Sequence, residues 1–151
     1  MTFLLKAILF DLDYTLLDCK QANREGRKAC FSFLKKKGVY SSLKEFEARF
    51  AQARQKVHLS ISGTIKHDRI LYLKEITPNQ LLRRAHEEYW KGYFKELKPC
   101  KGAIKLLEKT RMLGLKTAIV TDCLLTQQLE KIHKAKLEGF FDLVVSTEEV
   151  N

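Results

Sequence analysis

Long apolar runs are missing from this chain. None approaches the length of a membrane span, and the first residues lack the succession of basic, apolar and cleavage regions that marks a secretory signal. A membrane protein is therefore not expected, and the cytoplasm is the expected location. Cysteine is sparse and scattered: Cys19, Cys30, Cys100 and Cys123 form no Cys-x-x-Cys pair. That spacing argues against a zinc site or a disulfide framework and for reduced thiols. Acidic residues are the minority charge, 18 Asp and Glu against 28 Lys and Arg, for a net charge of +10. Such an excess suits anionic partners: phosphorylated metabolites, nucleic acid or an acidic protein. No nucleic-acid motif is present, and no basic run interleaves with aromatics. Much of the positive charge, as in Lys35-Lys36-Lys37 and Arg83-Arg84, is accounted for by solvated helix faces. Nucleic acid is thus not an expected partner.

What remains is a globular composition, 45% hydrophobic and 30% charged over 151 residues, enough for one domain or for a small core with an inserted module. The most informative stretch is Ala7-Ile-Leu-Phe-Asp11-Leu-Asp13-Tyr-Thr15-Leu-Leu-Asp18. Its apolar start predicts a buried strand. Two carboxylates one residue apart follow, and strand alternation points both to one side, where they repel unless a cation or a proton sits between them. At the carboxyl end of a strand in an open α/β sheet, that pair suits a nucleophile and a general acid/base beside a hard divalent metal. The plainer reading is two solvated aspartates in a turn.

The pattern then turns helical for about eighty residues. Ala22, Gly26, Ala29, Cys30, Phe33 and Leu34 predict a first helix stopped at Gly38. Leu43, Phe46, Phe50, Ala53 and Val57 predict a second, capped near Ser41 or Ser42. A third begins near His67. Thr77-Pro78-Asn79-Gln80 reads as a capping box with proline in the first turn, opening a fourth helix through Tyr89 and Phe94. Trp90 and Tyr93 are expected in its packed face. From Lys101 the chain alternates again. A helix has Ile104, Leu106, Leu107 and Met112 as its expected inner face and Gly114 as its end. A strand over 116–121, a helix from about Thr126 and a strand over 141–146 follow. This is a βαβαβ progression with a helical insert, hence a parallel, Rossmann-like sheet.

Three segments together resemble the haloacid dehalogenase (HAD) superfamily. They are the Asp11-x-Asp13-x-Thr15 sequence, the strand ending in Thr121-Asp122, and Leu97-Lys-Pro99-Cys-Lys-Gly102 between them. The resemblance implies an α/β fold: a HAD-like Rossmannoid parallel sheet with three of the usual strands, and a four-helix cap of the C1 type. The core is expected over 1–17 and 98–151, and the cap over 18–97. It also implies an Mg²⁺-dependent phosphomonoester hydrolase acting on a small phosphorylated substrate. Asp11 would be the nucleophile and Asp13 the acid and base. Mg²⁺ would be held by the Asp11 carboxylate and the Asp13 main-chain carbonyl. Thr15 would hydrogen-bond near Asp13, with a turn-capping hydroxyl as its alternative. Thr121 would donate to the phosphoryl group, with the Asp122 amide beside it, while the Asp122 side chain is expected to cap the next helix. In the cap, Arg69 and, less strongly, His67 would contact the substrate, a surface ion pair being the alternative for Arg69. Cys123 would border the site as a bystander. A dehalogenase, which needs only the first aspartate, is disfavoured by the presence of Asp13.

Two parts of the family pattern have no counterpart by motif position: a lysine after the third strand, and an acidic motif completing the metal site. The chain is expected to be truncated ahead of both, and Glu148 and Glu149 are not promoted to metal ligands. Losing one charge-stabilising group costs about 10²–10³ in rate, so this polypeptide alone is expected to be inactive or weak. The first strand, central in the family, would become an exposed apolar edge. The alternative function is then a non-catalytic or split-subunit domain that pairs through that edge, as a homo-oligomer or with a partner chain.

Overall fold

The computed structural model describes residues 5–149, so the outermost ends of the expected core, 1–4 and 150–151, lie outside the described residues. The chain divides into two compact units, Met1–Cys19 with Leu97–Asn151, and Lys20–Glu96.

In the first unit, β1 (Ala7–Phe10), β4 (Lys116–Thr121) and β5 (Leu143–Ser146) form a parallel sheet in the order β1-β4-β5. Ala7 pairs with Lys116 and Phe10 with Ile119, while Ala118 pairs with Leu143 and Thr121 with Ser146. This register brings the carboxyl ends of all three strands to one edge, where sites collect in such sheets. The central strand is the buried one, with Thr117, Ala118, Ile119 and Thr121 covered. β1 is an edge strand and Leu9 is 67% exposed, so the buried strand read from the apolar run is corrected, and the exposed apolar edge expected without the family's further strands is what is found. An apolar run alone does not distinguish the middle of a sheet from its rim. At the other end of the sheet Asp142 ties β5 to β4, accepting from Lys116 Nζ at 2.8 Å and from the Thr117 amide at 2.9 Å.

A two-residue antiparallel ribbon, β2 (Leu17–Asp18) with β3 (Lys98–Pro99), was not legible in the periodicity. Helix α5 (Ala103–Met112) follows a left-handed Gly102 and buries Ala103, Leu107 and Thr110. Of its expected inner face only Leu107 is buried; Ile104 and Leu106 are exposed, and Met112 is 87% exposed. The i, i+4, i+7 stripe that starts at Ala103 sets the inner face, and three of the four expected residues stand off it. Helix α6 (Leu125–Lys134) buries Gln128, Lys131 and Ile132.

The second unit carries α2 (Leu43–Ser60), α3 (Arg69–Ile76), α4 (Asn79–Glu96) and all of α1 (Cys19–Lys36) after its first residue. Ser42 caps α2 by accepting from the Glu45 amide, and Asp68 caps α3 by accepting from the Ile70 amide. A short 3₁₀ turn over Thr64–His67 therefore precedes the third helix, which starts two residues later than expected. The capping box at Thr77 does not form: its hydroxyl is buried without a hydrogen-bond partner, and α4 begins at Asn79. Phe46, Phe50, Tyr72, Tyr89 and Tyr93 make up the aromatic core. Tyr93 is fully buried and Trp90 half-buried, stacked on Phe94. Glycine lets α1 and α4 touch: a Cβ on Gly92 would lie 2.6 Å from Ala29 Cβ and 2.7 Å from the Glu25 carbonyl. No helix among the described residues is long and apolar enough to cross a membrane.

Candidate active site

Beyond β1 the backbone folds back on itself. Tyr14 takes a left-handed conformation, φ 63°, and its amide donates to the Leu17 carbonyl at 2.8 Å; the Leu16 and Leu17 amides both donate to the Leu12 carbonyl at 3.0 Å. Leu12, Leu16 and Leu17 are buried and anchor the loop, while Asp11 and Thr15 are exposed and Asp13 is half-buried. The buried Leu12 between two accessible aspartates is the alternation that puts both carboxylates on one side of the chain.

The loop decides which partner each group meets. Thr15 Oγ1 donates to Asp11 Oδ2 at 3.0 Å. The expected contact of Thr15 near Asp13 is thus corrected: the left-handed turn at Tyr14 swings the hydroxyl back to the first aspartate. Asp13 has other company. Its Oδ1 accepts from Cys19 Sγ at 3.2 Å, and its Oδ2 accepts from Lys131 Nζ at 2.6 Å, with Cys123 Sγ at 4.0 Å.

At the end of β4, Thr121 is buried, and its Oγ1 accepts from the Cys123 amide at 3.2 Å and from Gln128 Nε2 at 2.7 Å. Gln128 Oε1, on the same amide, is buried without a hydrogen-bond partner. Asp122 next to it is exposed, and its Oδ1 lies 3.7 Å from Cys123 Sγ. At the start of α6, Glu148 Oε2 accepts from the Leu125 amide at 2.6 Å. Glu149 is bonded to the Ser146 amide at 2.9 Å. Ser146, at the end of β5, donates to the Cys123 carbonyl at 2.7 Å and fixes the loop that follows Thr121.

The structure therefore brings Asp11, Asp13, Thr15, Thr121, Asp122 and Cys123 to the carboxyl edge of the sheet. Arg69 belongs to the helical unit. There its guanidinium is bonded to Tyr89 Oη at 3.3 Å, to Asn23 Oδ1 at 3.4 Å and to the His67 carbonyl, and it lies over the Tyr72 ring. His67 packs edge-on against His58, ring centroids 5.1 Å apart.

Lys131 and Gln128 were missed in the sequence. The signal for them was available: both fall on the α6 stripe that also carries Ile132, and a polar residue on an inward stripe needs a partner.

Among the described residues no group of three or more His, Cys, Asp or Glu could hold a metal ion. Magnesium, however, keeps several waters and takes one or two carboxylates together with substrate phosphate. The exposed Asp11 carboxylate and the main chain at Asp13 are hard oxygen donors of that kind, and the donor set fits.

The sequence matches the model of the haloacid dehalogenase-like hydrolases over residues 8–151. Among curated proteins, the chain is 30% identical to a ribulose-1,5-bisphosphate 5-phosphatase of Halopiger xanaduensis, aligned over 95% of this chain and 63% of that protein. It is 29% identical to a glyceraldehyde 3-phosphate phosphatase of Methanopyrus kandleri, over 97% of this chain and 64% of the relative. Among solved structures, a HAD phosphatase from Thermococcus onnurineus superposes with a TM-score of 0.67 at 26% identity, covering 97% of this chain and 64% of that one. The chain thus spans less than two thirds of the length of the curated relatives it matches. With the paired aspartates after β1 and the threonine ending β4 in place, the chain belongs to the family of haloacid dehalogenase-like hydrolases.

Proposed function

We propose that this site hydrolyses the phosphomonoester of a small phosphorylated metabolite through an aspartyl-phosphate on Asp11. The observation that carries the reading is the convergence of the exposed Asp11 carboxylate, the Asp13 carboxylate and the Thr121 hydroxyl at the carboxyl edge of the sheet. Two relatives named as phosphatases of small phosphorylated compounds support the substrate class.

Asp11 carries an accessible carboxylate with one oxygen fixed by Thr15. That oxygen pattern aims the other oxygen at phosphorus. As the Asp11–phosphorus bond forms, the bond to the ester oxygen breaks, and Asp13 gives the leaving oxygen its proton. In the second half a water attacks phosphorus, passes its proton to the Asp13 carboxylate, and Asp11 departs as carboxylate. The net change is ester plus water to alcohol plus inorganic phosphate. Magnesium, held by the Asp11 carboxylate and the Asp13 main-chain carbonyl, would supply charge compensation for nucleophile and phosphoryl group together. Where the family's later lysine and acidic motif are lacking, turnover is expected to be slow. Each such group contributes about 10²–10³ in rate.

The test is hydrolysis of 4-nitrophenyl phosphate with and without Mg²⁺, beside the Asp11→Asn variant. Product release that requires both the metal and Asp11 is the expected result. Release that is indifferent to Asp11→Asn contradicts the reading.

A second reading rests on β1. This strand is the edge of the sheet and exposes Leu9, with Leu5 exposed just ahead of it. An open apolar edge is a template for strand pairing, and a second copy of the chain is its simplest occupant. Sedimentation would then give a dimer that Leu9→Lys dissociates and Asp11→Asn leaves intact.

A further inference from the structure

Helix α6 turns two polar side chains inward, three residues apart and so on one face. Gln128 and Lys131 are both buried, and each reaches a residue at the sheet edge: Gln128 holds Thr121, and Lys131 holds Asp13. The Lys131 side chain is 3% exposed, against 18% for Asp13. A lysine so deep is rare and stays only with a partner. Buried ion pairs seldom raise stability above that of an apolar replacement, so stability alone does not account for this one. Nor is the ammonium group presented to solvent as a direct phosphate contact would require. Its charge reaches the site through Asp13.

The two Asp13 oxygens are engaged from different sides, Oδ2 by Lys131 Nζ and Oδ1 by Cys19 Sγ. Such a pair of contacts fixes the rotation of the carboxyl group. We propose that Lys131 is a positioning residue, which aims the Asp13 carboxylate at the water that hydrolyses the Asp11 phosphate. This rests on the phosphatase reading and adds a residue that the family resemblance does not assign. A correctly placed base contributes about 10²–10⁴ in rate, and a carboxylate left to rotate forfeits part of that.

An aryl phosphate separates the two half-reactions, because its leaving group departs without needing a proton. Loss of Lys131 should then spare formation of the phosphorylated chain and slow its breakdown. The experiment measures the fraction of the full chain carrying phosphate on Asp11 during turnover of 4-nitrophenyl phosphate with Mg²⁺, by borohydride reduction and mass spectrometry. Lys131→Met is expected to slow breakdown about tenfold and raise the phosphorylated fraction. Asp13→Asn should slow breakdown further, and the double variant should not exceed Asp13→Asn alone, since both act through one carboxylate. Lys131→Gln, which keeps a donor without the charge, is the second variant should Lys131→Met not fold, and is expected to fall between it and the unaltered chain. A phosphorylated fraction unchanged in the Lys131 variants overturns the proposal and leaves the phosphatase reading standing. Hydrolysis independent of Asp11, with no phosphorylated chain, overturns both. Apart from turnover, the Lys131 ammonium should give a slowly exchanging side-chain ¹⁵N resonance that shifts in Asp13→Asn; exchange as fast as that of surface lysines overturns the pairing itself.

Discussion

The Thr15 hydroxyl donates to Asp11 Oδ2 at 3.0 Å across the left-handed residue Tyr14. Thr15 therefore orients the proposed nucleophile, Asp11, and Asp13 meets Cys19 and Lys131. A hydrogen bond of this kind is worth about 1 kcal/mol, or about fivefold in rate. Thr15→Val should lower kcat by about that factor, and Thr15→Ser should retain it. Equal losses in the two variants, read from initial rates, would remove the hydroxyl from the account.

The helical unit depends on glycine at position 92. In most helices Gly→Ala stabilises by about 1 kcal/mol. Here the added methyl would stand 2.6 Å from Ala29 Cβ and 2.7 Å from the Glu25 carbonyl, so overpacking wins. Gly92→Ala should destabilise by about 1–3 kcal/mol, read as a lower denaturant midpoint at unchanged slope.

What the sequence made legible divides along physical lines. The carboxylate pair and Thr121 stood out because each follows an apolar strand at a fixed spacing, and the strand ends bring them to one edge. The partner of Thr15 was not legible, because a non-glycine residue in the left-handed region at Tyr14 has no compositional sign. Lys131 was hidden for a different reason. A lysine among basic neighbours reads as a solvated charge until the helix phase relative to Gln128 and Ile132 is known. Helix α5 was misread because Ile104, Leu106 and Met112 are apolar and still exposed, whereas Thr110 faces inward and donates to the Leu106 carbonyl.

Acid should weaken the helical unit through two histidines. Burial holds the pKa of His58 below its ordinary value, with Arg54 acting in the same direction. Burial also lowers that of His86, against the opposing pull of Asp68. A depressed histidine binds protons more readily in the unfolded chain than in the folded one. Its contribution to stability is thus intact above the ordinary value of about 6.5 and is lost as pH falls from there through the folded-state value. Denaturant midpoints should drop as pH falls below about 6.5, and His58→Gln with His86→Gln should flatten that dependence.

Cys30 should resist alkylation in the folded protein. Burial, with Glu88 as a secondary cause, pushes its thiol up to about 12, so almost no thiolate exists near neutrality. Iodoacetamide mapping should find Cys30 unmodified until denaturant is added, while half-buried Cys100 and Cys123 react first. Early labelling of Cys30 would mean that the α1 face opens readily.

Where phosphate is carried during turnover tests the central claim most directly. The 151-residue chain is mixed with 4-nitrophenyl phosphate and Mg²⁺, quenched with borohydride and mapped by mass spectrometry. The account predicts a reduced aspartyl-phosphate at position 11, absent in Asp11→Asn and more abundant in Lys131→Met. Phosphate on any other residue, or turnover with no covalent intermediate on Asp11, would contradict it.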